Sequence, residues 1–80
     1  MKEFIEYIVK HLVDRPEEVF VNEIAGEKTV VYELRVWDGD LGKVIGKRGQ
    51  IVKSIQYLLR AASAKRRTKK PILEILKKKR

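Results

Sequence analysis

Apolar residues recur along the first segment at Phe4, Ile5, Ile8, Val9, Leu12 and Val13. That spacing lays them on one stripe of an amphipathic helix over residues 2–14, with Glu3, Glu6, Lys10 and Asp14 turned to water. Pro16 is expected to stop the helix, and Arg15 before it is pushed toward extended geometry. The period then changes. Val19 to Ala25 is rich in β-branched and aromatic residues and reads as a strand. Gly26-Glu27-Lys28 makes a turn, and Thr29 to Trp37 alternates: Val30, Tyr32, Leu34 and Val36 on one face, Val31, Glu33, Arg35 and Trp37 on the other. The short connection predicts an antiparallel hairpin. Asp38-Gly39-Asp40 is a turn into a short helix, with Asp40 expected as its N-cap. After a glycine-bearing loop, Gln50 to about Ala64 forms the longest helix, with Ile51, Ile55, Leu58, Leu59 and Ala62 as its buried stripe and Lys53, Gln56 and Arg60 projecting elsewhere. Pro71 bars further helix. Ile72 to Leu76 is the last strand, with Leu73 and Ile75 sharing a face, and residues 77–80 are expected to form a flexible basic tail.

Charge sharpens this picture. The chain of 80 residues carries a net +8, but unevenly. Residues 1–40 hold five Lys/Arg against ten Asp/Glu, a net −5, while residues 41–80 hold fourteen against the single acid Glu74, a net +13. The basic half begins where the glycine loop begins. Segregation of this kind points to a polyanion, most often nucleic acid, rather than to a merely soluble surface. Eighty residues make one domain with a modest core and no room for a cleft between domains. The absence of cysteine excludes disulfides, thiolate nucleophiles and cysteine-based zinc sites. No stretch is apolar enough to cross a membrane, and the acidic N-terminus does not suit a signal peptide, so a cytoplasmic location is expected.

The loop itself is Gly46-Lys47-Arg48-Gly49, with Val44 and Ile45 before it and Ile51 and Ile55 after it. Glycines allow a sharp turn and a close backbone approach. The free amides at the start of the following helix favour anions, and two cations stand beside them. The run Val44-Ile45-Gly46-Lys47-Arg48-Gly49-Gln50-Ile51-Val52-Lys53-Ser54-Ile55 resembles the core of KH domains, V-I-G-x-x-G-x-x-I-x-x-I in outline. It departs in one respect: Ile51 follows Gly49 by two positions, and Ile55 comes four later. The order helix, strand, strand, helix, loop, helix, strand resembles the type II topology. The length and layout are similar to the small bacterial single-KH RNA-binding proteins of the KhpA family. KH domains set in larger ribosomal or GTPase proteins would carry flanking domains, and a chain starting at Met1 favours the stand-alone kind. The resemblance implies an α+β fold, α-β-β-α-α-β, with three helices on one face of a three-stranded mixed sheet, the whole of 1–80 being one KH domain. The physical reading agrees, since a two-helix crossover is long enough to return the last strand parallel to the second.

Other chemistries fail on spacing. A nucleotide-hydrolysing phosphate loop needs Gly at 41 and Ser or Thr at 48, where the chain has Leu and Arg. The dinucleotide fingerprint has the wrong glycine spacing. One His, His11, and two Ser, Ser54 and Ser63, give no catalytic set, and Asp38-Gly39-Asp40 lacks the rest of a calcium loop. No enzyme activity, cofactor or metal is expected. His11 reads as a surface or boundary residue and Trp37 as closing a core edge or interface. The expectation is a grip on single-stranded RNA by Gly46, Lys47, Arg48 and Gly49, bordered by Leu41, Gly42, Lys43, Val44 and Ile45 on one side and Gln50, Ile51 and Lys53 on the other. Val44 and Ile51 read equally as core residues. The run Lys65-Arg66-Arg67-Thr68-Lys69-Lys70 would widen the electrostatic footprint or, as readily, be a solvated helix end. The resemblance further implies pairing with a second copy or with a larger KH-containing RNA-binding protein, and a role as RNA chaperone or post-transcriptional regulator. The alternative is a dimerisation module whose basic face binds an acidic protein.

Overall fold

The structure, a computed structural model, describes residues 1–76, so the expected tail 77–80 lies outside the described residues. The chain runs α1 (Lys2–Leu12), β1 (Phe20–Ala25), β2 (Thr29–Arg35), α2 (Leu41–Ile45), α3 (Gln50–Arg66) and β3 (Lys70–Ile75), with single 3-10 turns at Pro16–Glu18, Asp38–Asp40 and Lys47–Gly49. The sheet order is β1-β2-β3. The hairpin pairs β1 antiparallel to β2, from Phe20 opposite Arg35 to Ala25 opposite Val30, and the Gly26 amide closes it by donating to the Thr29 carbonyl at 2.8 Å. The α2–α3 crossover returns β3 parallel to β2, from Thr29 beside Lys70 to Leu34 beside Ile75. The inward residues Val21, Val30, Tyr32 and Leu34 pack with Ile5, Val9, Val44, Ile55 and Leu59 into one core, to which Leu73 and Ile75 add their partly buried side chains. All three helices therefore lie on one face of the sheet. Leu59 is fully buried, and truncating it to alanine would cost about 2–5 kcal/mol, much of the stability a small domain has.

Three local expectations are corrected. First, α1 stops at Leu12 rather than Asp14, with Val13 already extended. The cause is Asp40. Its carboxylate accepts the amides of Asp14 and Arg15 at 3.1 and 3.0 Å, which pulls that segment out of helical geometry. Asp40 stands at the start of α2, yet its side chain makes no cap; it is fully buried and serves the other segment instead. Pro16 thus opens a 3-10 turn rather than ending a helix.

Second, the buried stripe of α3 is Ile55, Leu59 and Ser63, with Ile51 and Ala62 half-buried and Leu58 exposed. Two polar side chains, Gln56 and Ser63, hold the helix in this rotation. The Gln56 amide nitrogen donates to the Pro71 carbonyl at 3.0 Å while its oxygen accepts the Leu73 amide at 2.8 Å. The Ser63 hydroxyl contacts the Thr68 hydroxyl at 2.9 Å and donates to the Lys69 carbonyl at 2.7 Å. Third, β3 begins at Lys70, so Pro71 sits inside an edge strand, where its missing N–H costs no ladder bond.

Candidate nucleic-acid interface

The loop joins the end of α2 to the start of α3, and its shape follows from its glycines. Gly46 adopts φ 75°, ψ 174°, a region open only to glycine, and a Cβ there would stand 2.6 Å from Ile51 Cγ1. Ile51 therefore packs directly beneath Gly46, which explains its early place after the loop. Val52, half-buried, fills the next position. Gly49 at φ 72° is left-handed but sterically open. The Gly46 amide donates to the Gly42 carbonyl at 2.9 Å and the Gly49 amide to the Gly46 carbonyl at 3.2 Å, so the backbone is tied down while Lys47 and Arg48 stand exposed. Arg48 itself is left-handed, φ 55°.

The bordering residues divide. Gly42, Gln50 and Lys53 are exposed beside the loop, and Leu41, Ile45 and Ile51 are half-buried. A Cβ on Gly42 would meet nothing within 4 Å, so no internal packing requires glycine there. Val44 is fully buried and belongs to the core, so its side chain is removed from the set that can touch a strand. Lys43 is also drawn away. Its ammonium lies 2.9 Å from Asp14 and 3.8 Å from Asp40. The Asp14 hydrogen bond and charge hold the Lys43 pKa above its ordinary value. Burial pushes the Asp40 carboxyl up, but the Asp14 and Arg15 amides, Lys43 and Arg15 outweigh it and leave the pKa lowered. This knot, with Asp40 buried at its centre and Lys43, Asp14 and Arg15 reaching solvent, fixes α2 against the end of α1. Trp37 carries the Arg15 guanidinium 4.0 Å above its ring and covers Gly39, where a Cβ would meet the indole at 2.4 Å. The knot's members Asp14, Arg15 and Asp40 carry no motif. Only long-range geometry reveals them.

The electrostatic contrast is sharp. From Leu41 to Leu73 the chain has no acid, and Glu74 faces Glu33 on the opposite, open side of the sheet. Among the described residues Lys47 and Arg48 enter no ion pair. Nor is any described helix long and apolar enough to cross a membrane.

A two-helix crossover bent at a G-x-x-G loop, set on a three-stranded mixed sheet with an added N-terminal helix and strand, defines a KH domain. The chain belongs to the family described as KhpA/KhpB, KH domain, which matches residues 2–75. It is similar to proteins named RNA-binding protein KhpA from several bacteria. That of Chlamydia muridarum is 54% identical over 76 residues, covering 95% of this chain and 96% of the relative. That of Clostridium perfringens is 50% identical over 76 residues, covering 95% and 100%. That of Borreliella burgdorferi is 51% identical over 74 residues, covering 90% of each. These relatives are named for binding RNA, not for a reaction. No solved structure matches the chain.

Proposed function

We propose that this protein binds single-stranded RNA by clamping its phosphodiester backbone at Gly46-Lys47-Arg48-Gly49. The observation that carries the reading is the loop: two exposed cations, unpaired among the described residues, on a backbone held by two glycines, at the head of a 17-residue helix whose first amides are capped by no described side chain. Phosphate gains from both the full charges and the helix start. Gly42, Ile45, Gln50, Ile51 and Lys53 border the strand, and the open space over Gly42 lets it lie close. The names of the relatives support RNA over DNA, between which the groove chemistry is indifferent.

A lone domain holding about four nucleotides binds weakly. Pairing with a second KH domain, in another copy or in a larger KH-containing RNA-binding protein, would raise avidity. Support for a pairing face comes from exposed apolar side chains on the helices, Phe4 on α1, which shares a shallow hollow with Ala62, and Leu58 on α3, 40% and 46% accessible. Action as an RNA chaperone or post-transcriptional regulator in the cytoplasm is the cellular role this reading carries.

The test is Lys47→Asp with Arg48→Asp, assayed by filter binding with a single-stranded oligonucleotide and by thermal melting. Affinity falls below detection and the melting temperature stays. Retained affinity removes the loop from the reading.

A further inference from the structure

We propose that the basin between the end of α3 and the β1–β2 hairpin is a second, separate binding site, which takes a small phosphate ester of the nucleoside-phosphate class. The basin holds about 520 Å³, floored by Val30 and Tyr32 and rimmed by Glu23, Arg66, Arg67 and Thr68. It lies on the β1 side of the sheet, away from the β3 edge that Gln56 holds, and shares no residue with the loop. Its size falls within the roughly 300–1,000 Å³ usual for small-molecule sites.

A buried polar group opens into it. Tyr32 is 4% accessible, and its hydroxyl makes no hydrogen bond among the described residues. Every described side-chain polar atom sealed from solvent does have a partner, so the Tyr32 hydroxyl must face the basin it lines. A buried hydroxyl without a partner costs stability, and a ligand oxygen would relieve that cost. Burial, and after it the charges of Glu23 and Glu3, push its pKa above the ordinary value, so it stays a proton donor. The cations complete the site. Arg66 and Arg67 enter no ion pair among the described residues, and their planar forks of donors match phosphate oxygens. Arg67 holds φ 56°, where glycine is the usual occupant. A helix C-terminus ordinarily repels an anion, but here its carbonyls are occupied: Ser63 accepts the Thr68 amide at 3.1 Å and Ala64 the Arg67 amide at 3.3 Å. The Lys69 ammonium, held on the Gly26 carbonyl, adds a third positive charge at the rim. Glu23 sets the other requirement. Its carboxylate repels a second phosphate and accepts hydrogen bonds from hydroxyls. Phosphate on the arginines and sugar hydroxyls toward Glu23 satisfy both walls of the basin.

The test titrates the full chain with adenosine 5′-monophosphate, adenosine and inorganic phosphate, read by amide-resolved NMR. The nucleotide shifts the amides of Ala25, Tyr32, Arg67 and Thr68 to saturation. Adenosine and inorganic phosphate each bind at least roughly tenfold more weakly, since each lacks one end of the ligand. Glycine suits φ 56°, so Arg67→Gly keeps or raises the melting temperature while weakening the nucleotide roughly tenfold. Tyr32→Phe removes a hydroxyl that no described residue uses, so the fold stands and affinity falls roughly threefold to tenfold. A 5′-phosphorylated tetranucleotide moves the basin amides no further than the mononucleotide does; a tighter grip on its end would make the basin part of strand binding and overturn its separateness. Shifts confined to Gly46 through Gln50, no saturable shift at millimolar nucleotide, equal affinity for adenosine or inorganic phosphate, or an affinity that either variant leaves unchanged also overturns the proposal. Failure of the loop reading looks different: the tetranucleotide would then leave Gly46 through Gln50 unmoved, with the basin still filled by the mononucleotide.

Discussion

Gly42 sits inside α2, where glycine is a poor helix residue, and no described atom outside its own helix backbone lies within 4 Å of the Cβ it lacks. Internal packing does not explain it, whereas a strand lying against α2 would. Gly42→Ala is therefore expected to stabilise the free protein by about 0.5–1 kcal/mol and to weaken RNA binding roughly tenfold through a methyl clash. Denaturant unfolding and a binding isotherm on the same sample check both signs. Stabilisation with unchanged affinity would place the strand elsewhere. Asp40 makes a second residue-scale prediction. Its folded pKa is lowered, because the two amides and the neighbouring cations outweigh burial. The stability it contributes is complete above the unfolded value, about pH 4, and is lost as pH falls through the folded value. Unfolding followed from about pH 6 to about pH 2 should show a shallower acid limb for Asp40→Asn than for wild type, together with a lower melting temperature at neutral pH. Identical limbs would mean that other carboxylates set acid stability.

At the scale of elements, β3 depends on one side chain of α3. Gln56 satisfies both the Leu73 amide and the Pro71 carbonyl on the strand's outer edge. Gln56→Leu should cost about 1–2 kcal/mol and speed hydrogen exchange at Leu73 while leaving the Ile55 and Leu59 amides protected. The same pair of bonds explains what sequence could and could not reveal. Element order, the hairpin and the parallel return of β3 were legible, because apolar periods of 3.6 and 2, the turn at Gly26 and the length of the two-helix crossover are read directly from the chain. The rotation of α3 was not. An apolar stripe selects Leu58 and Ala62, yet hydrogen bonds from Gln56 and Ser63 turn the helix toward its polar residues. Likewise the early end of α1 depends on Asp40, more than twenty residues away. The loop was legible as a motif. The burial of Val44 and the capture of Lys43 by Asp14 were not, because each depends on a neighbour that no local spacing names.

Taken whole, the molecule gathers its uncompensated charge on the loop and α3. The cations of the loop and α3 are unpaired among the described residues, while Glu33 and Glu74 meet on the open side of the sheet. Self-repulsion in the free protein and attraction to RNA therefore share one origin and respond to salt with opposite signs. Raising salt from about 0.05 M to about 0.5 M should raise the melting temperature of the free protein and lower its RNA affinity steeply. An affinity indifferent to salt would favour an apolar protein-docking role over phosphate binding.

The most direct measurement is an amide-resolved NMR titration of the protein with a single-stranded tetranucleotide. The account predicts the largest shifts at Gly42, at Gly46 through Gln50 and at Lys53, with the open face around Phe20, Ile24 and Ile72 unmoved. Shifts confined to that open face, with Gly46 through Gly49 silent at saturation, would contradict it.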